Sequence, residues 1–394
     1  MVVEGFHGPG GWAEGRRLLG LTTRAVGMEW DAAACATAKA AGHTVVRCDV
    51  ATMPTAPLVG RVKVKVDSPP CQAWSRAGKG LGLVDQPLVH QAVEDLARGR
   101  DTRAALLTAC RDPRSLLAAE PMRWHHDLRP ETICMEEVPD VLPLWRQYAQ
   151  ILRAWGYSVW VGILNAADYG VPQTRRRAIL IASRIREVTA PAPTHTQHPG
   201  GEDLFGDSLP GWVSMAEALG WTAGQTVNTR GDRQTPGGNE FSADGPSQTL
   251  VKSTRSWVLR NGNQPNAAVR SSSEPAPTMA FGNNSARVEW VLRSGQSVGG
   301  EGRAERRADE PAVTMTSRAD LCAWVPGVEA QYGSPETVRI TQAEAAVLQS
   351  FPADYPWQGT KTKQFEQIGN AVPPLLAARI LSAATGGCPC PRPH

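Results

Sequence analysis

The first third of the chain alternates short apolar strands with helix-forming segments, and this rhythm constrains the fold more than any other feature. An apolar start at Val2 and Val3 leads through glycines into a helix over 13–19, and a strand follows at 24–28. An alanine-rich helix to Ala41 and a strand over 44–47 repeat the pattern. Successive strand, helix and strand units of this kind predict an α/β fold with a parallel sheet and right-handed crossovers.

The same rhythm resumes later, with predicted strands at 132–135, 158–164 and 178–182 around a helix over 144–155. After Ser183 the composition changes to proline, glycine and polar residues, which is typical of a domain boundary. We therefore predict a first domain over 1–190, a second over 191–335 and a return to the first domain over 336–394. In the returning part, Thr341 is predicted to cap a helix and another helix is predicted over 374–384.

The second domain contains a threefold internal repeat. Related hexapeptides occur at 244–249, 273–278 and 309–314, and each is followed by a tryptophan with an apolar neighbour, at Trp257, Trp290 and Trp324. The spacing predicts a turn and two short strands used three times. Such a unit can serve as a stacked β scaffold or as a surface for a long partner, and the repeat does not choose between them.

Composition narrows the functional classes. The 394 residues include eight scattered cysteines and carry a net charge of +3, so neither a disulfide framework nor a strong basic balance is present. No apolar run approaches the roughly 20 residues of a membrane span, and the start lacks the pattern of a signal peptide, so we expect a cytoplasmic protein. The pair His125 and His126 lacks suitably spaced partners; we expect a surface role for it and no metal site.

Cys71 is the first candidate for chemistry. It follows an apparent buried strand with Val62, Val64 and Val66, and the prolines before it must end the strand ladder because proline has no N–H. The thiol is thereby predicted at the carboxyl end of a strand, where open α/β sheets bind ligands. The alternative is an inert, half-buried cysteine.

A glycine-rich turn is the second candidate. Gly8, Gly10 and Ala13 follow the first strand and open the first helix, and Glu29 lies where a ribose-binding acid would follow the second strand. The pattern suits a nicotinamide dinucleotide or S-adenosylmethionine equally well, since both need close backbone approach and a carboxylate.

Several ordered motifs join these candidates: a turn at 6–11, Pro70-Cys71-Gln72, Glu136-Glu137-Val138, the arginine cluster 173–177 and a segment at 367–373. In this order they resemble the DNA (cytosine-5) methyltransferase family. The resemblance covers both flanks of the chain and leaves out the repeat region, which falls where that family has its variable target-recognition domain. It implies a Rossmann-like methyltransferase sheet with an inserted, mostly β or irregular target-recognition domain.

The resemblance implies catalytic roles for four residues. Cys71 would be the covalent nucleophile on C6 of cytosine, and Glu136 would hold N3 and the exocyclic amine. Arg175 and Arg177 would stabilise the charge that develops on the ring. The residues expected to contact the substrate are Pro70, Gln72, Ser75 and Gln173.

The implied cofactor is S-adenosylmethionine. Glu29 would bind the ribose hydroxyls, Trp30 would lie against the adenine and Asp49 near its amine. The backbone of the glycine turn and a carboxyl-terminal segment would enclose the rest of the molecule. The residues expected there are Phe6, Gly8, Gly10, Gly11, Asn370 and Val372.

The substrate implied is a cytosine flipped out of double-stranded DNA, with a loop over 74–84 closing behind it. We expect a monomer on DNA, with cognate restriction or defence proteins as further partners. Three alternatives remain open: an RNA methyltransferase of the same chemistry, a catalytically silent DNA-binding regulator, and a nicotinamide oxidoreductase. The long region between Pro191 and Pro335 favours duplex DNA, whereas an oxidoreductase leaves Cys71 and the arginines unexplained.

Glu137 departs from the family, which usually has asparagine after the catalytic glutamate. A second carboxylate could raise the pKa of Glu136, or it could point away from it.

Overall fold

The computed structural model describes residues 1–70, 74, 81–199, 209–220 and 341–387, together with the backbone of short strands between 226 and 326. Predictions for Cys71, Gln72, Ser75 and the first repeat at Trp257 lie outside the described residues.

A seven-stranded sheet forms the centre of the molecule. Its strands are β1 (Val2–Gly5), β2 (Ala25–Glu29), β3 (Val45–Arg47), β4 (Val64–Asp67), β5 (Thr132–Glu137), β6 (Ser158–Asn165) and β8 (Arg176–Ser183); the two-residue strand β7 (Gln173–Thr174) lies outside this sheet. The order across the sheet is β3-β2-β1-β4-β5-β8-β6, so β2 and β3 follow β1 on one side, and β4 begins the other side. All neighbours pair in parallel except β8, which is antiparallel to β5 and to β6. The predicted α/β fold is confirmed, with one antiparallel strand added to the parallel sheet.

Helices cover both faces of this sheet. On one face the apolar side chains of α1 and α10 pack against β1, β4, β5 and β8, and on the other α3, α5 and α6 pack against β5 and β8. Large apolar side chains are fully buried in both layers, as expected for a sheet that is covered on both faces. The helices are α1 (Gly11–Leu18), α2 (Ala32–Ala40), α3 (Leu81–Ala97), α4 (Arg103–Leu107), α5 (Glu120–Leu128), α6 (Leu142–Ala154), α7 (Met215–Leu219), α8 (Gln342–Leu348), α9 (Lys361–Asn370) and α10 (Pro374–Thr385).

Capping residues explain where two helices begin. The Asp31 carboxylate accepts the N–H groups of Ala33 and Ala34 at the start of α2. Thr341 and Glu344 form a reciprocal capping box at the start of α8, which confirms the predicted cap. Each of these contacts satisfies backbone donors that have no partner within the helix.

The stretch 90–126 is mostly helical, and the surface role expected for the pair His125 and His126 is wrong for His125. His125 is fully buried beneath the sheet, because α5 packs directly on β4 and α6. The described residues at both ends of the predicted closing loop, Trp74 and 81–84, belong to packed structure, and 75–80 lie outside the described residues. Trp74 is buried in the core with α3 and α6, and residues 81–84 already form the first turn of α3.

The repeat region contributes a second sheet. Its strands are β9 (Thr226–Asn228), β10 (Glu240–Ser242), β11 (Trp290–Arg293), β12 (Glu305–Arg307) and β14 (Ala323–Pro326). The second and third tryptophan segments, β11 and β14, are antiparallel neighbours with Leu292 opposite Trp324. The prediction of strands at these two tryptophans is confirmed. A further strand, β13 (Ala312–Val313), pairs in parallel with β7 of the first part.

The chain after residue 190 stays in contact with the first part. The backbone N–H groups of Thr194 and His195 donate to the Asp168 carbonyl, and the Trp212 indole donates to the Asp168 carboxylate at 2.8 Å. Helix α7 packs beside α8. The proposed boundary at 191 stays a prediction. In the described ranges, no helix has the length and apolarity that crossing a membrane requires.

Contact between α1 and α10 depends on Gly15. A Cβ at this position would lie 2.7 Å from Ala377 Cβ and 2.8 Å from the Ala378 nitrogen. Alanine is favoured over glycine by about 1 kcal/mol inside a helix, but overpacking costs about 1–3 kcal/mol. We expect Gly15→Ala to lower the free energy of unfolding, measured by urea denaturation.

Gly387→Ala is the matched control, because a Cβ there meets its nearest neighbour, Thr385 Oγ1, at an ordinary 3.5 Å. A Gly15→Ala variant as stable as the wild type would contradict the tight helix contact.

Candidate active site

The reversal of strand order between β1 and β4 opens a crevice at the carboxyl ends of the strands. Gly5, the last residue of β1, is paired with Met28 on one side and Asp67 on the other. Open α/β sheets bind ligands at this point because the two flanking connections leave in opposite directions. The glycine turn, Glu29 and the segment before Cys71 all follow strands that end here.

The glycine turn is a strained and well-anchored loop. Gly10 caps α1 with φ of 110°, and Phe6 takes a positive φ of 55° that is unusual for a residue with a side chain. Between them, the buried His7 ring lies 2.8 Å from Glu4 in β1, and its backbone N–H donates to the Met28 carbonyl. These contacts hold the strained turn in place.

The carboxyl-terminal segment braces the same turn from behind. A Cβ on Gly11 would lie 2.2 Å from the Val372 carbonyl oxygen, so only glycine permits this approach. The Tyr355 hydroxyl donates to the Pro9 carbonyl at 2.7 Å. Val372 is therefore buried against the turn, while Asn370, the last residue of α9, is exposed.

Glu29, the last residue of β2, lies at the opening of the crevice. Each carboxylate oxygen of Glu29 accepts one backbone N–H, from Gly8 and from Asp31, both at 2.7 Å. Each oxygen retains a lone pair for a ligand. Trp30 beside it is 70% exposed, and Asp49 accepts the Ala51 N–H through its carboxylate.

These features fit S-adenosylmethionine. Gly8 has open space where a Cβ would project, so a ligand can approach its backbone. The exposed Trp30 ring offers a flat apolar surface for an aromatic base, and the Glu29 carboxylate suits vicinal hydroxyl donors. The sequence-predicted cofactor residues thus converge on one edge of the sheet.

A buried ion pair lies farther along this edge. The Glu136 carboxylate accepts from Arg177 Nε at 2.9 Å, and both side chains are less than a tenth exposed. In the register of β5 and β8, Glu136 faces Ile179, so Arg177 is its diagonal neighbour on the same face of the sheet. The Arg177 Nη1 group also donates to the Arg176 carbonyl, which fixes the guanidinium.

Arg175 and Gln173 are buried and connect to the carboxyl-terminal segment. Arg175 Nη1 donates to the Gly369 carbonyl at 2.9 Å. The Gln173 amide donates to the Gln349 side chain at 2.7 Å, and Gln349 donates in turn to the Ala371 carbonyl. Gln349 was not among the predicted site residues, although its partners Gln173 and Ala371 lie in the 173–177 and 367–373 motifs.

Glu137 lies on the other face of β5 from Glu136. Successive strand residues alternate between faces, and Glu137 is opposite Ala178, which belongs to the core under α3 and α6. Burial, and next the charge of Glu136, raise the pKa of Glu137 well above its usual range. One oxygen accepts the Val138 N–H, and the other finds no partner within the described ranges. Of the two interpretations given above for Glu137, the structure supports the one in which its side chain points away from Glu136.

Further buried charges near the crevice escaped the sequence analysis. Lys65 and Asp67 alternate with valines in β4, a pattern typical of a strand with one solvent face. Both are instead fully buried and ion-paired, and His125 Nε2 lies 3.3 Å from Asp67. Burial lowers the pKa of His125 and of Lys65. In the described ranges, no group of three potential ligands could hold a metal ion.

Comparisons with known proteins agree on one family. The model of the C-5 cytosine-specific DNA methylase family matches residues 103–385. The chain is 27% identical to the type II methyltransferase M1.HphI of Haemophilus parahaemolyticus, over 97% of this chain and 85% of that protein. It is 25% identical to M.DdeI of Desulfomicrobium norvegicum, over 96% and 87%.

Solved structures share the fold. The S. pombe Dnmt2 methyltransferase superposes with a TM-score of 0.54 at 13% identity and covers 98% of both chains. The Entamoeba histolytica methyltransferase EhMeth gives a TM-score of 0.53 at 13% identity, over 98% of this chain and 97% of that one. The predicted fold class and family are therefore confirmed.

The raised pKa of Glu137 predicts how stability depends on pH. The unfolded carboxyl titrates near 4.5 and the folded one well above it, so the native state binds more protons in between. Stability must then fall as pH rises, by up to about 1.4 kcal/mol per pH unit. We expect Glu137→Gln to flatten this dependence between pH 5 and 8 in urea denaturation.

Glu94→Gln serves as the control, since Glu94 on α3 is partly exposed and paired with Arg98, which follows the helix. Parallel stability curves for wild type and Glu137→Gln would contradict a buried, protonated Glu137.

Proposed function

Because the chain belongs to the C-5 cytosine-specific DNA methylase family and is a DNA cytosine-5 methyltransferase, we propose that it methylates a flipped-out cytosine in double-stranded DNA through a covalent Cys71 adduct. The methyl donor is S-adenosylmethionine, on which the family depends.

The buried pair of Glu136 and Arg177 is the observation that carries this proposal. A carboxyl group held by a guanidinium at the ligand edge can bind the N3 and amine edge of cytosine. The same guanidinium can stabilise negative charge as it develops on the ring. Arg175, buried beside it, adds a second cation.

Cytosine C5 is a weak nucleophile, and the proposed sequence of steps activates it. The Cys71 thiolate forms a bond to C6 while N3 gains a proton from the Glu136 carboxyl group, and the ring becomes an enamine with electron density on C5. After C5 has gained its methyl group, a base removes the C5 proton. The electrons of that C–H bond restore the ring double bond, the Cys71 to C6 bond breaks, and N3 returns its proton to the Glu136 carboxylate. No residue of the sequence is assigned as this base, and we propose water.

The residues proposed to hold the cofactor line the other half of the crevice. Glu29 would bind the ribose hydroxyls, Trp30 the adenine face and Asp49 the adenine amine. Asn370 and Val372 would close the methionine end. The residues that would approach adenosine and methionine are Phe6, Gly8, Gly10 and Gly11. When bound, S-adenosylmethionine would supply an electrophilic methyl group on a sulfonium.

The region 191–335 is proposed as the target-recognition domain. Its length supports duplex DNA as the substrate, because the RNA-acting branch of this family has a small domain at this place. Pro70, Gln72, Ser75 and Gln173 are proposed to contact the extruded cytosine. Methyl incorporation into duplex DNA and into tRNA, measured side by side, tests this choice of substrate.

The named relatives are type II methyltransferases. By analogy we propose a role in restriction and modification or in phage defence, in the cytoplasm and as a monomer on DNA. Bisulfite sequencing of DNA from cells that express the chain would reveal both its activity and its recognition sequence.

The covalent step predicts a trapped complex. Fluorine at C5 cannot leave as the proton does, so the adduct with 5-fluorocytosine cannot break down. We expect an irreversible protein–DNA complex when the enzyme, S-adenosylmethionine and a recognised duplex carrying 5-fluorocytosine are combined, and none with Cys71→Ala. Methylation of a site on which no complex accumulates would disprove the mechanism.

Arg177→Lys tests the ion pair. Lysine keeps the charge but loses the planar donors, and loss of a group that stabilises developing charge costs about 10²–10³ in kcat. Arg176→Lys is the matched control, because the adjacent Arg176 is exposed on the opposite face of β8. Equal kcat values for the two variants would argue against the proposed role of Arg177.

A further inference from the structure

A buried carboxylate stands outside the proposed active site yet is connected to it. Glu120, the first residue of α5, is 1% exposed and binds two arginines. One is Arg123 on the same helix, with Nε at 2.6 Å, and the other is Arg103 of α4. A carboxylate in such a position is stable only when paired, because burial of a lone charge is very costly.

Both arginines extend past Glu120 to the same loop. Arg123 donates to the carbonyls of Val50 at 2.9 Å and Met53 at 3.0 Å, and Arg103 donates to that of Ala51 at 3.1 Å. Three carbonyl groups of the loop that follows β3 thus accept hydrogen bonds from two guanidinium groups.

Two further contacts from α5 complete this support. The Trp124 indole donates to the Val50 carbonyl at 3.3 Å, and the Thr55 hydroxyl donates to the Asp127 carboxylate at 2.5 Å. At its beginning the loop carries Asp49, whose carboxylate and carbonyl accept N–H groups from within the loop. Asp49 is the residue proposed above to bind the adenine amine.

We propose that Glu120 is a positioning residue for the cofactor: through Arg103 and Arg123 it holds the 49–55 loop in the conformation that presents Asp49 to adenine. The inference rests on the proposed function, since it assigns this loop to the cofactor. Glu120 is buried and is not among the residues proposed to contact the cofactor or the DNA. Its removal should weaken cofactor binding and leave the chemical step intact.

The charges around Glu120 come from several elements. Arg103 of α4 and Arg123 of α5 face it directly, and Lys65 of β4 and Tyr148 of α6 interact with it at longer range. Burial outweighs the arginines and raises the pKa of Glu120 to about 7. Protonation below this pH removes the carboxylate that pairs with both arginines, of which, among the described residues, only Arg103 keeps a second carboxylate partner, Asp101. Cofactor affinity should therefore fall as the pH drops from 8 to 6.

The experiment compares Glu120→Gln with the wild-type protein. Loss of a charge-assisted contact is expected to weaken S-adenosylmethionine binding by about tenfold or more in calorimetry, with KM for the cofactor raised and kcat unchanged. In the protein without cofactor, hydrogen exchange of the amides of 50–55 should accelerate. The decline of affinity between pH 8 and 6 should be present in the wild type and absent in Glu120→Gln.

Matched variants keep the test decisive. Glu94→Gln removes a carboxylate of α3 that is paired with Arg98 and does not contact the loop, so it should leave binding and exchange unchanged. Arg103→Met removes only the outer, partly exposed arm and tests the same idea if Glu120→Gln fails to fold. Wild-type affinity and unchanged exchange in the folded variants would overturn the inference.

The two proposals fail in different ways. If the wild-type protein binds no S-adenosylmethionine, the proposed function fails, and loop exchange still reports whether Glu120 holds residues 50–55. If the wild type binds and the variants bind equally well, only the role of Glu120 fails.

Discussion

The buried ion pair between Glu136 and Arg177 depends on the one antiparallel strand of the central sheet. A buried charge must be paired because its removal from water is costly. If the strand beside β5 were parallel, its carboxyl end would lie next to Glu136, and its amino end would lie at the far edge of the sheet. Strand β8 runs the other way, so its amino end, with Arg177, lies beside the carboxyl end of β5. The insertion of β8 between β5 and β6 is therefore what brings an arginine to the carboxylate, and the chemistry proposed for the site requires both.

The carboxyl-terminal segment joins the two halves of the crevice. Within four residues, the Gly369 carbonyl accepts from Arg175, the Ala371 carbonyl accepts from Gln349, and the Val372 carbonyl lies against Gly11 of the cofactor turn. The arginine cluster and the glycine turn are thus supported by one piece of backbone. The site is therefore complete only when residues 369–372 have packed against both halves of the crevice.

Helix α5 connects the cofactor half to the strand that leads to Cys71. On one side, Glu120 and its arginines bind the loop after β3, and on the other His125 lies against Asp67 at the end of β4. The Trp124 ring lies between the cations Lys65 and Arg123, each about 5 Å from its centre. Favourable cation–π contact compensates part of the desolvation that these buried charges suffer.

The sequence by itself determined the strand and helix succession, the glycine turn that begins α1, the cap at Thr341 and the family, because these depend on backbone periodicity and on neighbours a few residues apart. Strand alternation alone could also have shown that Glu136 and Glu137 face opposite sides. Only the tertiary structure decided that His125 is buried and that Arg103 and Arg123, the partners of Glu120, bind the loop after β3. Those facts depend on partners such as Asp67 and Val50, which are 58 and more residues away along the chain, and local patterns carry no information about contacts at that separation.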